Sequence, residues 1–246
     1  MEIIKNIKTK FFYEVILMIL FCLPYAGGSE AIFHKWKDFL HPTIKLCPIE
    51  LKGRGKRIAE GTYENIEEAV EDVFSNIKDK IVENEYAIYG HSLGSLLAFE
   101  LYHKINENGI RKPKHIFFSG CKDPSSESME EKVHHLPNDA FIDKIIQLGG
   151  IPDELKKHKE ILAMFVPMLR SDFKICETYK YKERKDKIQC DISLLNGKED
   201  PNAPKETNSW GRHGCAQLKA YAFDGNHFFI NNNIEKITEI INSTLV

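Results

Sequence analysis

The chain has 246 residues, of which 42% are hydrophobic, so it can bury the core of one sizeable α/β domain or of two small domains. Its formal net charge is only −2, and basic and acidic residues are interspersed along it, which argues against a strongly basic surface. We therefore expect neither nucleic acid nor a membrane as a partner.

Six apolar runs have the length of buried strands, and most of them end at glycine or proline. In chain order they are residues 15–23, 44–49, 86–90, 115–120, 190–197 and 218–225. Amphipathic patterns predict helices over residues 64–82, 93–106 and 233–244. Strands that alternate with helices favour the α/β class, with a mainly parallel sheet flanked by helices on both faces.

The first apolar run has a competing interpretation. Lysines, an apolar stretch and then small residues resemble a secretory signal peptide. However, the uninterrupted stretch from Val15 to Leu23 is short for that role, and Glu14 interrupts the approach to it. Cleavage near Ala26 would also remove the first predicted strand and its turn. We therefore favour a core strand, and the stretch is far too short to span a membrane.

Residues 137–181, which we call the lid segment, contain no convincing strand pattern. They read as three helices. Gly149, Gly150 and Pro152 separate the first two, and Pro167 is expected to start or kink part of the third. A helical insertion between two sheet strands is either a packing elaboration or a lid over a site.

The chain is thus expected to consist of an α/β core, residues 1–136 and 182–246, and the helical lid segment. Apolar side chains of the lid segment could line an acyl or pantetheine channel, or could simply pack the lid onto the core. The candidates are Phe141, Ile145, Ile146, Phe165, Met168 and Leu169.

The motif G-x-S-x-G falls on Gly90, Ser92 and Gly94, between a predicted strand and a predicted helix. In a nucleophile elbow the serine stands at a sharp strand-to-helix turn, in a sparsely populated backbone conformation. The two glycines avoid clashes there, and the positive end of the helix dipole points at the reacting atom. The motif predicts Ser92 as a nucleophile, although a glycine-lined turn with an idle serine has the same pattern.

A serine hydroxyl needs a base, and in α/β-hydrolases the order along the chain is serine, acid, histidine. His227 follows the last predicted strand, and Asp200 follows the strand before it. Because parallel strands end at one edge of a sheet, both residues are expected near Ser92. Glu199 and Asp224 are alternative acids.

The oxyanion that develops during acyl transfer needs two backbone donors. One is expected from the N–H of Leu93, the residue after the nucleophile. The other is expected from Tyr25 or Ala26, in the turn after the first strand, where the sequence reads LPYAGGS. A plain glycine turn before a helix capped by Ser29 would read the same way.

Six cysteines are present, without a C-x-x-C pair and without histidines at metal-ligand spacing. Several lie in apolar runs, where cysteine behaves as a small hydrophobic residue. We therefore expect free thiols, a reducing cytoplasmic location and no metal. His91, next to the predicted nucleophile, is expected to be structural.

Several segments together resemble the type II thioesterases that accompany nonribosomal peptide and polyketide synthases. The resemblance covers roughly residues 19–244 and is most specific in PYAGGS at 24–29, GRGKR at 53–57, and LRSDF followed by ETY at 169–179. GHSLG, NGKEDP and FDGNHFF add to it. Two features depart from the family pattern: Lys52 stands where the family often has proline, and the first dozen residues look like an extension.

The resemblance implies an α/β-hydrolase core with a helical lid. It also implies hydrolysis of acyl or aminoacyl thioesters held on the phosphopantetheine arm of a carrier domain, which clears wrongly loaded or stalled carriers. By the matching motifs, Ser92, Asp200 and His227 carry over as the triad. The implied partners are acyl or peptidyl carrier protein domains. The enzyme is expected to be a monomer and to need no cofactor beyond the 4′-phosphopantetheine of its partner.

Three other functions stay open at this point. Two are enzymatic: a medium-chain acyl-carrier thioesterase of fatty-acid synthesis and a small-molecule carboxylesterase. The third belongs to another class, an inactive hydrolase fold that binds a carrier or an acyl ligand. Labelling by a serine-reactive fluorophosphonate would separate the enzymes from the binder.

Overall fold

The computed structural model describes residues 18–126, 131–149, 151, 153–201, 203 and 207–246. The strands are β1 Met18–Leu23, β2 Ile44–Pro48, β3 Tyr86–His91, β4 His115–Ser119, β5 Asp191–Gly197 and β6 Leu218–Phe223. The α-helices are α1 Ile66–Glu83, α2 Leu93–Glu107, α3 Asn138–Leu148, α4 Asp153–Lys156, α5 Lys159–Thr178 and α6 Ile234–Leu245. Short 3₁₀ helices occupy Glu30–Asp38, Gly55–Glu60, Thr207–His213 and Phe229–Asn231. Residues 15–17 of the first predicted strand, and the predicted N-terminal extension, lie outside the described residues.

The six strands form one sheet in the order β2-β1-β3-β4-β5-β6, and every neighbouring pair is parallel. The last residues of adjacent strands therefore lie side by side. Leu23 pairs with Gly90, His91 with Ser119, and Gly197 with Phe223. The loops that leave these strands meet at one edge, which is where ligands bind in open α/β sheets.

Alternating side chains of each strand enter two apolar cores, one on each face of the sheet. In β1, Phe21 and Leu23 join the core formed with α1 and α2. Leu20 and Cys22 join the opposite core, formed with α6 and the 3₁₀ helix Glu30–Asp38. The predicted parallel sheet, covered by helices on both faces, is confirmed.

The lid segment contains α3, α4 and α5, and it has an apolar core of its own. Buried members of this core include Phe141, Ile145, Leu162 and Val166. Pro167 is expected from the sequence to start or kink part of the third helix; it lies well inside α5, so it does not start the helix. The helix continues past it because the apolar spacing of its inner face continues, although a proline supplies no N–H to the helix ladder. The interpretation of this segment as a lid stays a prediction.

No disulfide joins any of the six cysteines, all of which are described, and Cys22 and Cys190 are buried. These two therefore pack as small hydrophobic side chains. Over the described ranges, no helix combines the length and the apolar character that crossing a membrane would need.

Candidate active site

Ser92 lies at the junction between β3, which ends at His91, and α2, which begins at Leu93. Its φ is 55° and its ψ is −114°, and among the described residues no other non-glycine residue has a positive φ. Strain of this kind costs about 1–3 kcal/mol and persists only where the surroundings hold it. Here the Ser92 N–H donates to the carbonyl of Ser119 at the end of β4, over 2.8 Å.

The two glycines of the motif are required by close backbone approaches. A Cβ on Gly94 would lie 2.1 Å from the carbonyl oxygen of Leu23, and a Cβ on Gly90 would lie 2.1 Å from that of Gly94. Neither position has room for a methyl group, so both need glycine. The approach at Gly94 also means that the chain leaving β1 passes directly beside the start of α2.

His227 and Asp200 are brought together by the loops that follow the adjacent strands β6 and β5. His227 Nδ1 lies 2.8 Å from Asp200 Oδ2, and the Asp200 side chain is fully buried. The loops pack tightly, because a Cβ on Gly197 would lie 2.4 Å from the carbonyl oxygens of Gly225 and Asn226. Since the carboxylate accepts the hydrogen bond, Nδ1 carries the proton, and Nε2 of the neutral imidazole is left as an acceptor.

The structure distinguishes the three candidate acids by their contacts. Glu199 is exposed. Asp224 is 74% exposed and pairs with Lys198, whose Nζ lies 2.5 Å from Oδ1. Of the three, Asp200 is the residue that bonds the imidazole of His227.

His91 makes a hydrogen bond to the backbone of the loop that carries His227. Its Nε2 lies 2.9 Å from the His227 carbonyl oxygen, and its Nδ1 lies 2.8 Å from the Ser119 hydroxyl. Burial, with a smaller contribution from the nearby His227 ring, lowers the pKa of His91 to about 3, so the ring is neutral at neutral pH. Nε2–H therefore donates to the carbonyl, while Nδ1 accepts from Ser119, whose oxygen accepts from Tyr89 in turn. The expected structural role of His91 thus includes support for His227.

The turn after β1 presents backbone donors beside the elbow. Gly28 N–H donates to the Tyr25 carbonyl over 2.8 Å, and Gly27 has a φ of 81°. No described residue supplies an acceptor for the N–H groups of Tyr25 and Ala26. Leu93 is the first residue of α2, so its N–H has no partner within the helix. None of the three predicted oxyanion donors has a hydrogen-bond acceptor among the described residues.

Ser92 and His227 line the same cavity, which has a volume of about 540 Å³. Much of its wall comes from residues 120–126, in the loop after β4, and from the end of α5 with the residues that follow it. Wall residues of that second stretch are Cys176, Glu177, Tyr179, Lys180 and Tyr181. Sequence reasoning missed both stretches, although the first follows the carboxyl end of a central strand, a position typical of ligand-binding residues.

None of the six lid-segment residues predicted to line a channel belongs to the described wall of this cavity. Ile146 and Leu169 pack against the core of the lid segment. Phe141 and Ile145 are buried in the core of the lid segment itself. Phe165 is 38% exposed, and Met168 is buried next to Gly53. For Phe141 and Ile145 the reason is packing: the apolar faces of α3 and α5 cover each other, which leaves these two side chains unavailable to the cavity.

The arrangement offers a hydroxyl at a strained elbow, an imidazole held by a buried carboxylate, and unpartnered backbone donors. This is the combination that acyl transfer requires. In the part of the chain that is described, no three His, Cys, Asp or Glu side chains come together as a metal site.

Comparison with known proteins assigns the chain to a family. The model of the thioesterase domain matches residues 18–245. "Linear gramicidin dehydrogenase LgrE" of Brevibacillus parabrevis is 35% identical over 233 residues, which cover 93% of this chain and 88% of LgrE.

Two solved structures are similar to this chain over nearly their whole length. ClbQ, from the colibactin NRPS/PKS pathway, is 33% identical with a TM-score of 0.88, and the match covers 93% of this chain and 97% of ClbQ. The type II thioesterase BorB, from the borrelidin biosynthetic cluster, is 29% identical with a TM-score of 0.83, and the match covers 94% and 93%.

The resemblance seen in the sequence is therefore confirmed. The six-stranded parallel sheet with helices on both faces is the fold of these structural relatives. The chain belongs to the thioesterase family, has the α/β-hydrolase fold, and is a thioester hydrolase similar to the type II thioesterases of NRPS and PKS pathways.

Proposed function

We propose that this protein is an editing thioesterase, which removes acyl or aminoacyl groups from the 4′-phosphopantetheine arm of carrier protein domains. The observation that carries this proposal is the elbow serine Ser92, which shares a cavity with His227, whose imidazole is bonded to the buried Asp200. The pathways named for ClbQ and BorB support a carrier-bound substrate. Hydrolysis of wrongly loaded or stalled groups would return the partner synthase to use.

In the first step, His227 Nε2 takes the hydroxyl proton of Ser92 while the serine oxygen attacks the thioester carbonyl carbon. The N–H of Leu93, together with that of Tyr25 or Ala26, stabilises the developing oxyanion. The carbon–sulfur bond then breaks, and the pantetheine sulfur leaves with the electron pair of that bond. The imidazolium of His227 gives its proton to this thiolate, which releases the thiol and restores the neutral imidazole for the second step. Because a thiol has a pKa of about 8.5, this leaving group needs less protonation than an amine would.

In the second step, water hydrolyses the acyl-serine. His227 takes a proton from the water as its oxygen attacks the ester carbonyl, and returns the proton to Ser92 as the acid is released. Asp200 keeps the proton of the neutral imidazole on Nδ1 and stabilises the imidazolium that forms in both steps. No external cofactor takes part in these steps.

The acyl group is proposed to lie in the cavity beside Ser92, between residues 120–126 and the stretch from Cys176 to Tyr181. This placement differs from the expected acyl or pantetheine channel lined by side chains of the lid segment. The wall is mixed in character, because Leu96 and Cys121 occur there together with Asp123.

Replacement of Ser92 by alanine tests the proposal directly. Carrier domains preloaded with different acyl groups are incubated with each protein and weighed by mass spectrometry. Ser92→Ala should lower turnover at least about 10³-fold, because the nucleophile is lost while the fold remains. Ser243→Ala, the same change at an exposed serine of α6, should have no effect. Turnover by Ser92→Ala near that of the unaltered protein would refute the assignment.

The same assay separates the remaining functions. Faster hydrolysis of free acyl thioesters or simple esters than of carrier-bound ones would favour a carboxylesterase, and a strict preference for medium-chain acyl carriers would favour a fatty-acid enzyme. Absence of fluorophosphonate labelling at Ser92 would favour a binding protein. The name of LgrE refers to a dehydrogenase, but the turn after β1 reads LPYAGGS here and does not match the G-x-G-x-x-G dinucleotide fingerprint.

A further inference from the structure

A buried ion pair links α5 to the loop after β2. Arg54 Nη1 lies 2.8 Å from Asp172 Oδ2, and Nη2 lies 2.7 Å from Oδ1. The two side chains are 4% and 1% exposed. Arg54 belongs to GRGKR and Asp172 to LRSDF, two segments that resemble the family closely but contain none of the proposed catalytic residues. The proposed catalytic steps do not involve this pair.

Both partners also bind the backbone of the turn after β1. Asp172 Oδ2 accepts from the Gly27 N–H over 2.8 Å, and Arg54 Nη1 donates to the Gly28 carbonyl over 2.9 Å. The guanidinium is further held by the Lys52 carbonyl, 3.3 Å from Nε. One ion pair thus anchors two consecutive residues of the turn, immediately after the candidate donor Ala26.

The residues of the turn do not by themselves restrict it to one backbone conformation. Gly28 N–H closes it onto the Tyr25 carbonyl, and the positive φ of Gly27 is that of the third residue of a type II turn. A glycine at this position adopts positive or negative φ with similar ease, so the peptide group between Ala26 and Gly27 can flip its orientation. The bond from Gly27 N–H to Asp172 fixes the direction of that peptide.

The second half of α5, which carries Asp172, packs against the turn after β1 and against the core. A Cβ on Gly27 would lie 2.6 Å from Leu169 Cδ2, so the helix lies against the turn. The Ser171 hydroxyl donates to the Tyr63 carbonyl over 2.6 Å and ties the same helical turn to the core. The Asp172 carboxylate is therefore carried by a part of α5 that contacts both the turn and the core.

Stability alone is a weak explanation for such a pair. Taking two charges out of water is unfavourable, and apolar side chains of similar volume often stabilise a fold equally well. A buried guanidinium and carboxylate that also bond the turn can, however, hold its peptides in one orientation. We propose that Arg54 and Asp172 are positioning residues, which orient the turn at residues 25–28 so that its free N–H groups face the oxyanion. The inference rests on the proposed function of Ser92.

A second ion pair in the same region supplies a matched control. Arg57, also in GRGKR, makes two bonds of 2.8 Å to Asp72, and these side chains are each 14% exposed. Asp72 also accepts a hydrogen bond from the Tyr63 hydroxyl. Neither Arg57 nor Asp72 makes a hydrogen bond to the described residues of the turn after β1. Identical substitutions at both pairs therefore separate loss of an ion pair from loss of turn position.

The experiment compares Arg54→Lys and Asp172→Asn with Arg57→Lys and Asp72→Asn. Lysine keeps the charge but not the planar fork, and asparagine keeps the shape but not the charge. For each variant, kcat and KM on an acyl-carrier substrate are measured together with the free energy of unfolding. Arg54→Lys and Asp172→Asn should lower kcat about 10–100-fold with KM changed less than about threefold, because the oxyanion forms only after binding. The control variants should lose stability and keep kcat within about twofold.

Several outcomes would overturn the proposal. If kcat falls in step with the free energy of unfolding, and does so to the same degree in the variants of both ion pairs, the Arg54–Asp172 pair is merely structural. A rise in KM with unchanged kcat would assign it to substrate binding instead. If Asp172→Asn does not fold, Arg54→Lys carries the test, because it keeps the buried charges paired. Activity that survives Ser92→Ala would refute the proposed function, whereas an inactive Ser92→Ala beside fully active Arg54→Lys would refute this inference alone.

Discussion

Ser92 adopts a backbone conformation that side-chain-bearing residues rarely take, and the residues that keep it there do not react themselves. Ser95 is one of them: its hydroxyl donates to the Gly90 carbonyl over 2.6 Å and lies 2.9 Å from the Ser119 carbonyl oxygen. His91 plays a similar part for the His227 loop. Reactive groups at this site are therefore positioned by buried polar neighbours, each of which has a partner of its own.

The acid of the proposed triad, Asp200, can be tested by exchanging a single atom of its side chain. Asp200→Asn should lower kcat about 10³–10⁴-fold, because an amide nitrogen can donate to Nδ1 and so favours the tautomer in which Nε2 carries the proton. Asp224→Asn, the same change at the exposed partner of Lys198, should leave kcat unchanged. Steady-state hydrolysis of an acyl-carrier substrate is the measurement. Comparable losses in the two variants would show that neither carboxylate has a distinct role.

Helix α5 has different environments along its length. Its first half contributes Leu162 and Val166 to the core of the lid segment. Its second half carries Asp172, which bonds the turn after β1, and Cys176, which lines the cavity. The second half is also joined to the sheet core, in which Ile175 is buried. The part of the insertion that contacts substrate is thus expected to be this second half.

This division predicts which residues control acyl-chain length. Cys176→Leu should lower the ratio of kcat/KM for long over short acyl groups about tenfold, because added volume narrows the cavity. Cys47→Leu, the same change on the edge strand β2, should leave the ratio unchanged, as should Phe165→Ala on the exposed surface of α5. The ratio is measured on carriers loaded with acetyl, hexanoyl and decanoyl groups. A change of this ratio in Phe165→Ala, but not in Cys176→Leu, would instead favour a channel lined by side chains of the lid segment such as Phe165.

Over the whole molecule, three buried histidines make stability depend on pH. Burial is the main cause that lowers the pKa of His91 to about 3 and those of His103 and His115 to about 4. The ordinary pKa of histidine is about 6.5, so the unfolded chain binds more protons than the folded chain between these values. Stability contributed by the neutral rings is present above about pH 6.5 and is lost as the pH falls.

The free energy of unfolding should therefore decrease as the pH is lowered from about 6.5 towards 4. Each ring contributes up to about 1.4 kcal/mol per pH unit within its window. Urea unfolding at a series of pH values measures the slope. His115→Gln can keep a hydrogen bond to Ser193, whose hydroxyl lies 2.9 Å from Nε2, but it removes one titrating group, so the slope should become shallower. A flat profile over this range would contradict the expectation.

The amino-acid sequence by itself determined the elements and their order. Apolar runs ending at glycine or proline predicted the strands, and the spacing of Gly90, Ser92 and Gly94 predicted the elbow, because the glycines are needed for close approaches within that one turn. Asp200 and His227 could be placed near Ser92 for a topological reason, since parallel strands all end at one edge. These inferences depend on local pattern and on chain order, which a sequence contains.

Only the tertiary structure decided which side chains meet. The bond of His227 to Asp200, where Glu199 and Asp224 were alternatives, depends on how two loops pack. Phe141 turned inward to the lid core and not towards the cavity, because another helix covers it. The pairing of Arg54 with Asp172 joins residues that are far apart along the chain. Such contacts depend on side-chain directions in the folded molecule, and they cannot be read from the local periodicity of the sequence.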